Sequence, residues 1–184
     1  MGRRSYGPPC SKRLREPAGR RLKFSSTVRR SRRIARPQAA KGGEKNQAVG
    51  RSRGGRTTKI HALTDAQCRP LAFMLTGGHV ADCSAGAALL DRLPACEILH
   101  ADKGYDANAI RRQVEDRGAM PNIPPKANRK WKNCFSPVLY RNRNAIERVF
   151  CRLKDFRRVA TRYDRNVVNF LAAVSIAATI SYWL

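Results

Sequence analysis

Acidic residues are scarce in this 184-residue chain: 13 Asp and Glu stand against 38 Lys and Arg, a formal net charge of +25. Such an imbalance points to a polyanionic partner, nucleic acid first and an acidic membrane surface second. No Cys-x-x-Cys pair occurs among Cys10, Cys68, Cys83, Cys96, Cys134 and Cys151. That scatter speaks against a disulfide framework and for reduced, partly buried thiols. No apolar stretch follows the basic N-terminus, so no secretory signal is expected. Apolar residues are not lacking: at 42% of the chain they exclude wholesale disorder. The length provides for one domain with a core of useful size.

What charge there is lies unevenly. Residues 1–59 hold 19 Lys and Arg against only Glu16 and Glu44. Residues 1–45, rich in Arg, Ser, Gly and Pro and without a sustained hydrophobic period, read as a basic, largely disordered arm with a weak strand signal near residues 22–28. Residues 46–184 read as the folded domain. TKIHALTD and PLAFMLT alternate as strands joined by a turn at Asp65, Ala66 and Gln67. Asp82 is placed to cap a helix over 83–93, which Pro94 ends. EILHAD is a short strand with Ile98, His100 and Asp102 on one face. Asp106 is placed to cap a helix closed by Gly118. Residues 121–126 form an edge strand, and one long helix runs over 140–158. The last 18 residues, VVNFLAAVSIAATISYWL, reach the lower limit for a membrane span, but Asn169, Ser175, Thr179 and Ser181 interrupt them. They are expected as a packed C-terminal helix, with no membrane partner. A mixed sheet with helices on its faces accommodates this order of elements.

Two carboxylates stand out by position. Asp102 falls at the carboxyl end of a strand, where open α/β sheets place their working groups. Glu147 lies inside the long helix. At about 100° per residue, Tyr140, Arg143, Glu147 and Lys154 share a narrow face, while Ile146, Val149, Phe150, Leu153 and Phe156 occupy a separate arc. An ordinary strand-end Asp is a turn or cap residue, and an ordinary helix Glu beside arginines is a solvated ion pair. His79 with Cys83, and Cys96 with His100, mimic zinc-ligand spacing. Four strand residues put Cys96 and His100 about 13 Å apart, too far to share one ion.

The pattern Tyr140-x2-Arg143-x3-Glu147-x6-Lys154 resembles the signature of a large group of bacterial insertion-sequence transposases of the DDE class. The blocks GRSRGGRTTKIHAL, LTGGHVADC, ADKGYDA and YRNRNAIERVFCRLKDFRRVATRYDR resemble that group in the same order, over about residues 41–184. The resemblance implies a ribonuclease-H-like fold whose Asp, Asp, Glu triad holds Mg²⁺ (or Mn²⁺) for DNA strand cleavage and strand transfer. By matched motif the second Asp is Asp102 and the Glu is Glu147. Arg143 and Lys154 are implied at DNA phosphates, with Arg51, Arg53 and Arg56 of the glycine-rich block, and Tyr140 at the DNA end. Also implied are a homodimer on DNA, a partner from an upstream reading frame that supplies the DNA-end-binding domain, and a cytoplasmic, nucleoid-associated location. The chain departs from the pattern at the first Asp, which precedes a Ser-Thr pair: Phe24-Ser25-Ser26-Thr27 has Ser25 there. A hydroxyl supplies neither the charge nor the bridging carboxylate of a two-metal site. The expectation is therefore an impaired copy. The rival readings are a DNA-binding remnant without catalysis, a small basic nucleic-acid-binding protein, and a membrane-associated protein.

Overall fold

The computed structural model describes residues 21–32, 47–52 and 55–184. Six strands form one sheet: β1 (Arg21–Arg32), β2 (Gly50–Ser52), β3 (Gly55–Thr64), β4 (Pro70–Gly77), β5 (Ile98–His100) and β6 (Met120–Asn122). β3 pairs antiparallel with β1 on one side and with β2 and β4, in tandem, on the other. Beyond β1 lie β5 and then β6, each parallel to its neighbour. Three antiparallel strands continued by two parallel ones make the expected ribonuclease-H-like mixed sheet.

The alternation of β3 explains the two cores. Leu63 points to one face, where it packs with Leu89, Leu90, Leu99, Tyr105, Ile110 and Val114. Ile60 and Ala62 point to the other, against Ile146, Val149, Phe150, Leu153, Phe170 and Val174. Helices α1 (Asp82–Leu90) and α2 (Asn108–Glu115) cover the first face; α4 (Asn144–Asp155), α5 (Arg157–Ala160) and α6 (Val167–Tyr182) cover the second. The four-residue α3 (Pro137–Tyr140) precedes α4.

Several expectations need correction. β1 is twelve residues long and lies inside the sheet, so a boundary at 45/46 cuts through the folded unit. The expected arm otherwise falls at residues 1–20 and 33–45, outside the described residues. The single helix over 140–158 is instead α3, a 3₁₀ turn at Arg141–Arg143, α4 and α5, with a break at extended Phe156. Ser136 caps α3, Pro137 sits in its first turn, and the asparagines of RNRN are weak helix formers. β6 is shorter than expected and starts one residue earlier. Neither Asp82 nor Asp106 caps its helix: the N-cap residues are Ala81 and Ala107. Gly118, at φ +75°, does close the turn after α2. Cys68, Cys83, Cys96 and Cys151 are free thiols, as expected, but Cys134 is disulfide-bonded.

α6 buries Phe170, Val174, Ala177 and Ala178 and exposes Val168, Ile176 and Ile180, so it is packed on one face only. Among the described residues no helix is long and apolar enough to cross a membrane.

His61 is fully buried between Tyr105, whose hydroxyl meets Nδ1 at 2.7 Å, and Thr76 Oγ1 at 2.8 Å from Nε2. Burial, aided by Lys59 and opposed by Asp82, pulls its pKa down to about 4. An imidazole that ionises near 6.5 when unfolded and near 4 when folded stabilises the fold fully above pH 6.5, and the contribution is lost as pH falls toward 4. Urea melts should therefore show stability falling by about 3 kcal/mol over that window beyond the carboxylate background. A His61→Gln variant should lose that part of the slope.

Candidate functional site

β5 delivers Asp102. The strand runs between β1 and β6, and Asp102 follows its carboxyl end, leading into a 3₁₀ turn at Lys103–Tyr105. Tyr105 anchors this turn through its buried ring. A Cβ at Gly104 would lie 2.7 Å from Asp82 Oδ2, so any larger residue would push the Asp82 side chain aside. Asp82 is fixed by Lys59 Nζ at 2.9 Å. The blocks LTGGHVADC and ADKGYDA thus meet, and Asp82 serves that junction rather than a helix cap.

The other side of the site comes from α3 to α4. Arg143 donates from Nη1 to Asp102 Oδ1 at 2.6 Å and from Nη2 to Glu147 Oε1 at 2.8 Å. The Tyr140 hydroxyl donates to Asp102 Oδ1 at 3.3 Å, and the guanidinium lies 5.3 Å from the Tyr140 ring. Four of the sequence-derived positions are therefore drawn together: Asp102, Tyr140, Arg143 and Glu147. Burial, reinforced by Asp102, pushes the Tyr140 hydroxyl well above its usual range, so it remains a donor. Burial alone would lower Arg143, but Asp102, Tyr140 and Glu147 outweigh it and hold the guanidinium charged. Beside this cluster an open cleft of about 520 Å³ is lined by Phe135, Pro137, Tyr140, Arg141, Arg143 and Asn144.

A clamp that the sequence did not reveal sets the position of α3. Asn122, buried on β6, accepts from Ser136 N at 2.9 Å and donates to Ser136 O at 3.2 Å. Its amide also contacts His100 Nδ1 at 3.0 Å, two residues before Asp102. Asp106 acts similarly on the basic loop: its buried carboxylate binds Arg111, Arg129 and the Lys126 N–H. Apart from Arg111, these partners lie 14 to 23 residues away along the chain, and no local pattern marks such pairs.

The remaining positions are spread out. Lys154 is half-buried on α4, seven residues beyond Glu147, about 10 Å along the helix. Arg51 and Arg56 are exposed and face each other across the β2–β3 pair. They lie on the order of 20 Å along the sheet from the level of Asp102. Arg53 is outside the described residues. Position 25 lies on β1. The parallel register matches Lys23 to His100, and two further residues bring position 25 level with Asp102 on the adjoining strand.

The resemblance implies divalent metal. Asp102 and Glu147 already surround one cation, the Arg143 guanidinium, so the donor set fits a single divalent ion in its place. Among the described residues no group of three His, Cys, Asp or Glu side chains could hold a metal, so the set does not fit a metal pair.

Comparison with known proteins identifies similar chains. A family model described as "Transposase DDE domain" matches residues 25–184. The transposase assigned to insertion sequence element IS6501 of Brucella ovis is 33% identical over 129 residues, 70% of this chain and 98% of the relative. That assigned to element IS402 of Burkholderia cepacia is 30% identical over 137 residues, 68% of this chain and 63% of the relative. Among solved structures, the catalytic core domain of BIV integrase is similar with a TM-score of 0.48 at 14% identity, over 86% of this chain and 80% of that one.

Proposed function

The chain belongs to the DDE transposase family and so to the machinery of DNA transposition, and on that premise we propose that it is a copy impaired in strand cleavage that retains DNA binding. The observation that carries the reading is the convergence of Asp102 and Glu147, from separate segments, on one cation beside an open cleft. Asp102 and Glu147 are the residues that would hold a divalent ion. Bound there, it would supply Lewis-acid stabilisation of charge on a phosphodiester. Tyr140 and Arg143 would orient DNA at the cleft. Lys154, Arg51, Arg53 and Arg56 would neutralise phosphates farther along it. A span of about 20 Å between the cluster and Arg56 corresponds to roughly six phosphates of one strand. Ser25 leaves the site one carboxylate short, from which weak or absent cleavage with binding preserved is the expected outcome. Two copies per DNA complex, an upstream-frame partner for end recognition and a nucleoid-associated location are part of the same proposal.

Plasmid nicking with Mg²⁺ tests the chemistry: wild type should be feeble, Ser25→Asp active, and Ser25→Asp with Glu147→Gln feeble again. Anisotropy titrations with a short duplex over a range of salt test the binding. Affinity should fall steeply with salt, and Lys154→Ala or Arg56→Ala should each flatten the logarithmic slope by about one. Binding indifferent to salt would contradict the phosphate contacts.

A further inference from the structure

We propose that Arg143 is the resident counter-ion of this site, occupying the divalent-ion position until a DNA phosphate draws it away, so that DNA and metal bind cooperatively. The proposal rests on the reading of Asp102 and Glu147 as metal carboxylates. One guanidinium serves both, each through a different terminal nitrogen, at 2.6 and 2.8 Å. The Asp102 and Arg143 side chains are only 22% and 20% exposed, so water cannot fully solvate the charge of either. With Arg143 in place the two carboxylates are held at one cation's reach and their mutual repulsion is cancelled. A divalent ion bound to the same oxygens would lie within a few ångströms of the guanidinium, and the two cations would repel. Occupancy is therefore exclusive.

The guanidinium has somewhere to go. Arg143 ends a 3₁₀ turn and borders the open cleft with Tyr140, Arg141 and Asn144. A phosphodiester entering there offers the planar fork a bidentate acceptor matched to its geometry, an exchange of one charge-assisted pair for another. DNA binding then takes the shared guanidinium away from both carboxylates, and a bound ion in turn frees Arg143 for phosphate. Such coupling is reciprocal, ordinarily about 5- to 150-fold.

Mn²⁺ titrations followed by the electron paramagnetic resonance of free Mn²⁺ test this on the full chain, with and without a short duplex. Asp102→Asn with the same duplex provides the blank for metal bound by DNA itself. In wild type the duplex should tighten Mn²⁺ binding about tenfold. Arg143→Gln should bind Mn²⁺ about tenfold more tightly than wild type without DNA and gain nothing from the duplex. Equal Mn²⁺ affinity of wild type and Arg143→Gln without DNA would overturn the proposal while leaving the carboxylate site standing. Mn²⁺ binding no better than the blank in any variant would overturn the carboxylate reading itself. Thermal melts accompany each variant. If Arg143→Gln does not fold, Arg143→Lys replaces it: a single ammonium cannot span both carboxylates as the fork does, and intermediate coupling is expected, whereas wild-type coupling would contradict the exchange.

Discussion

Ser25→Asp is expected to raise Mg²⁺-dependent nicking of supercoiled plasmid by about 10²- to 10³-fold, the scale of one preorganised charge-stabilising group. The argument is one of register. β1 and β5 run parallel, and Lys23 pairs with His100. Position 25 is thus level with Asp102, one interstrand spacing of about 4.8 Å away. β5 ends just before Asp102 while β1 continues beside β3 to Arg32, and Glu147 and Arg143 close over Asp102. The family match itself begins at residue 25. A carboxylate at this position adds charge and a bridging donor where serine offers a neutral hydroxyl, so a second ion gains a ligand. Ser25→Asn, similar in size but uncharged, should give no gain. If Ser25→Asp nicks no faster than wild type, position 25 is not the missing ligand.

Asp106→Ala is expected to destabilise the fold by about 3–5 kcal/mol, because it strands a buried cation. The Asp106 carboxylate is completely covered and pairs with Arg111 at 2.8 Å and Arg129 at 2.5 Å, while accepting Lys126 N–H at 2.8 Å. Arg111 is itself only 6% exposed in its side chain and ties on to Ile123 O at 2.8 Å. Removal of the carboxylate leaves Arg111 charged inside the protein and frees the loop carrying Lys126 and Arg129. In thermal melts the midpoint should drop by about 10 °C. A drop of less than about 2 °C would contradict the structural role. Burial alone would raise the Asp106 pKa, but the hydrogen bonds from Lys126, Arg129 and Arg111 outweigh it and hold the group below its usual value of 3.8. Its stabilisation is thus complete above that value and is lost as pH falls below it, toward the lowered folded value. Acid melts of wild type should show this loss, and Asp106→Ala should not.

Asp106 also marks where the sequence stops being legible. An Asp just before a helix has the same local pattern whether it caps that helix or reaches a distant cation. Asp82 and Asp106 do the second, toward Lys59 and Arg129, each 23 residues away. Strand β3 was readable because its alternation feeds two cores, with Leu63 on one side and Ile60 and Ala62 on the other. Strand β1 was weakly readable, since RLKFSSTVRRSR has few apolar residues and owes its conformation to neighbours on both sides. The helix over 140–158 was legible as a face rather than as one element. Spacings of three and four residues keep Tyr140, Arg143 and Glu147 adjacent through a 3₁₀ turn as through an α-helix. The apolar arc was legible too: Ile146, Val149, Phe150 and Leu153 are buried as their spacing requires. Beyond the pattern of single segments lay the Arg143 bridge, whose Asp102 and Arg143 ends are 41 residues apart.

Iron-directed cleavage of the polypeptide tests the convergence of Asp102 and Glu147 most directly. Fe²⁺ replaces Mg²⁺ in the Ser25→Asp protein, ascorbate and peroxide generate hydroxyl radicals at the bound ion, and the new chain ends are mapped by mass spectrometry. Cuts near both 102 and 147, suppressed together by excess Mg²⁺ and absent from Asp102→Asn, are the predicted result. Cuts near only one of the two positions, or cuts that survive Asp102→Asn, would contradict a single site built from both carboxylates.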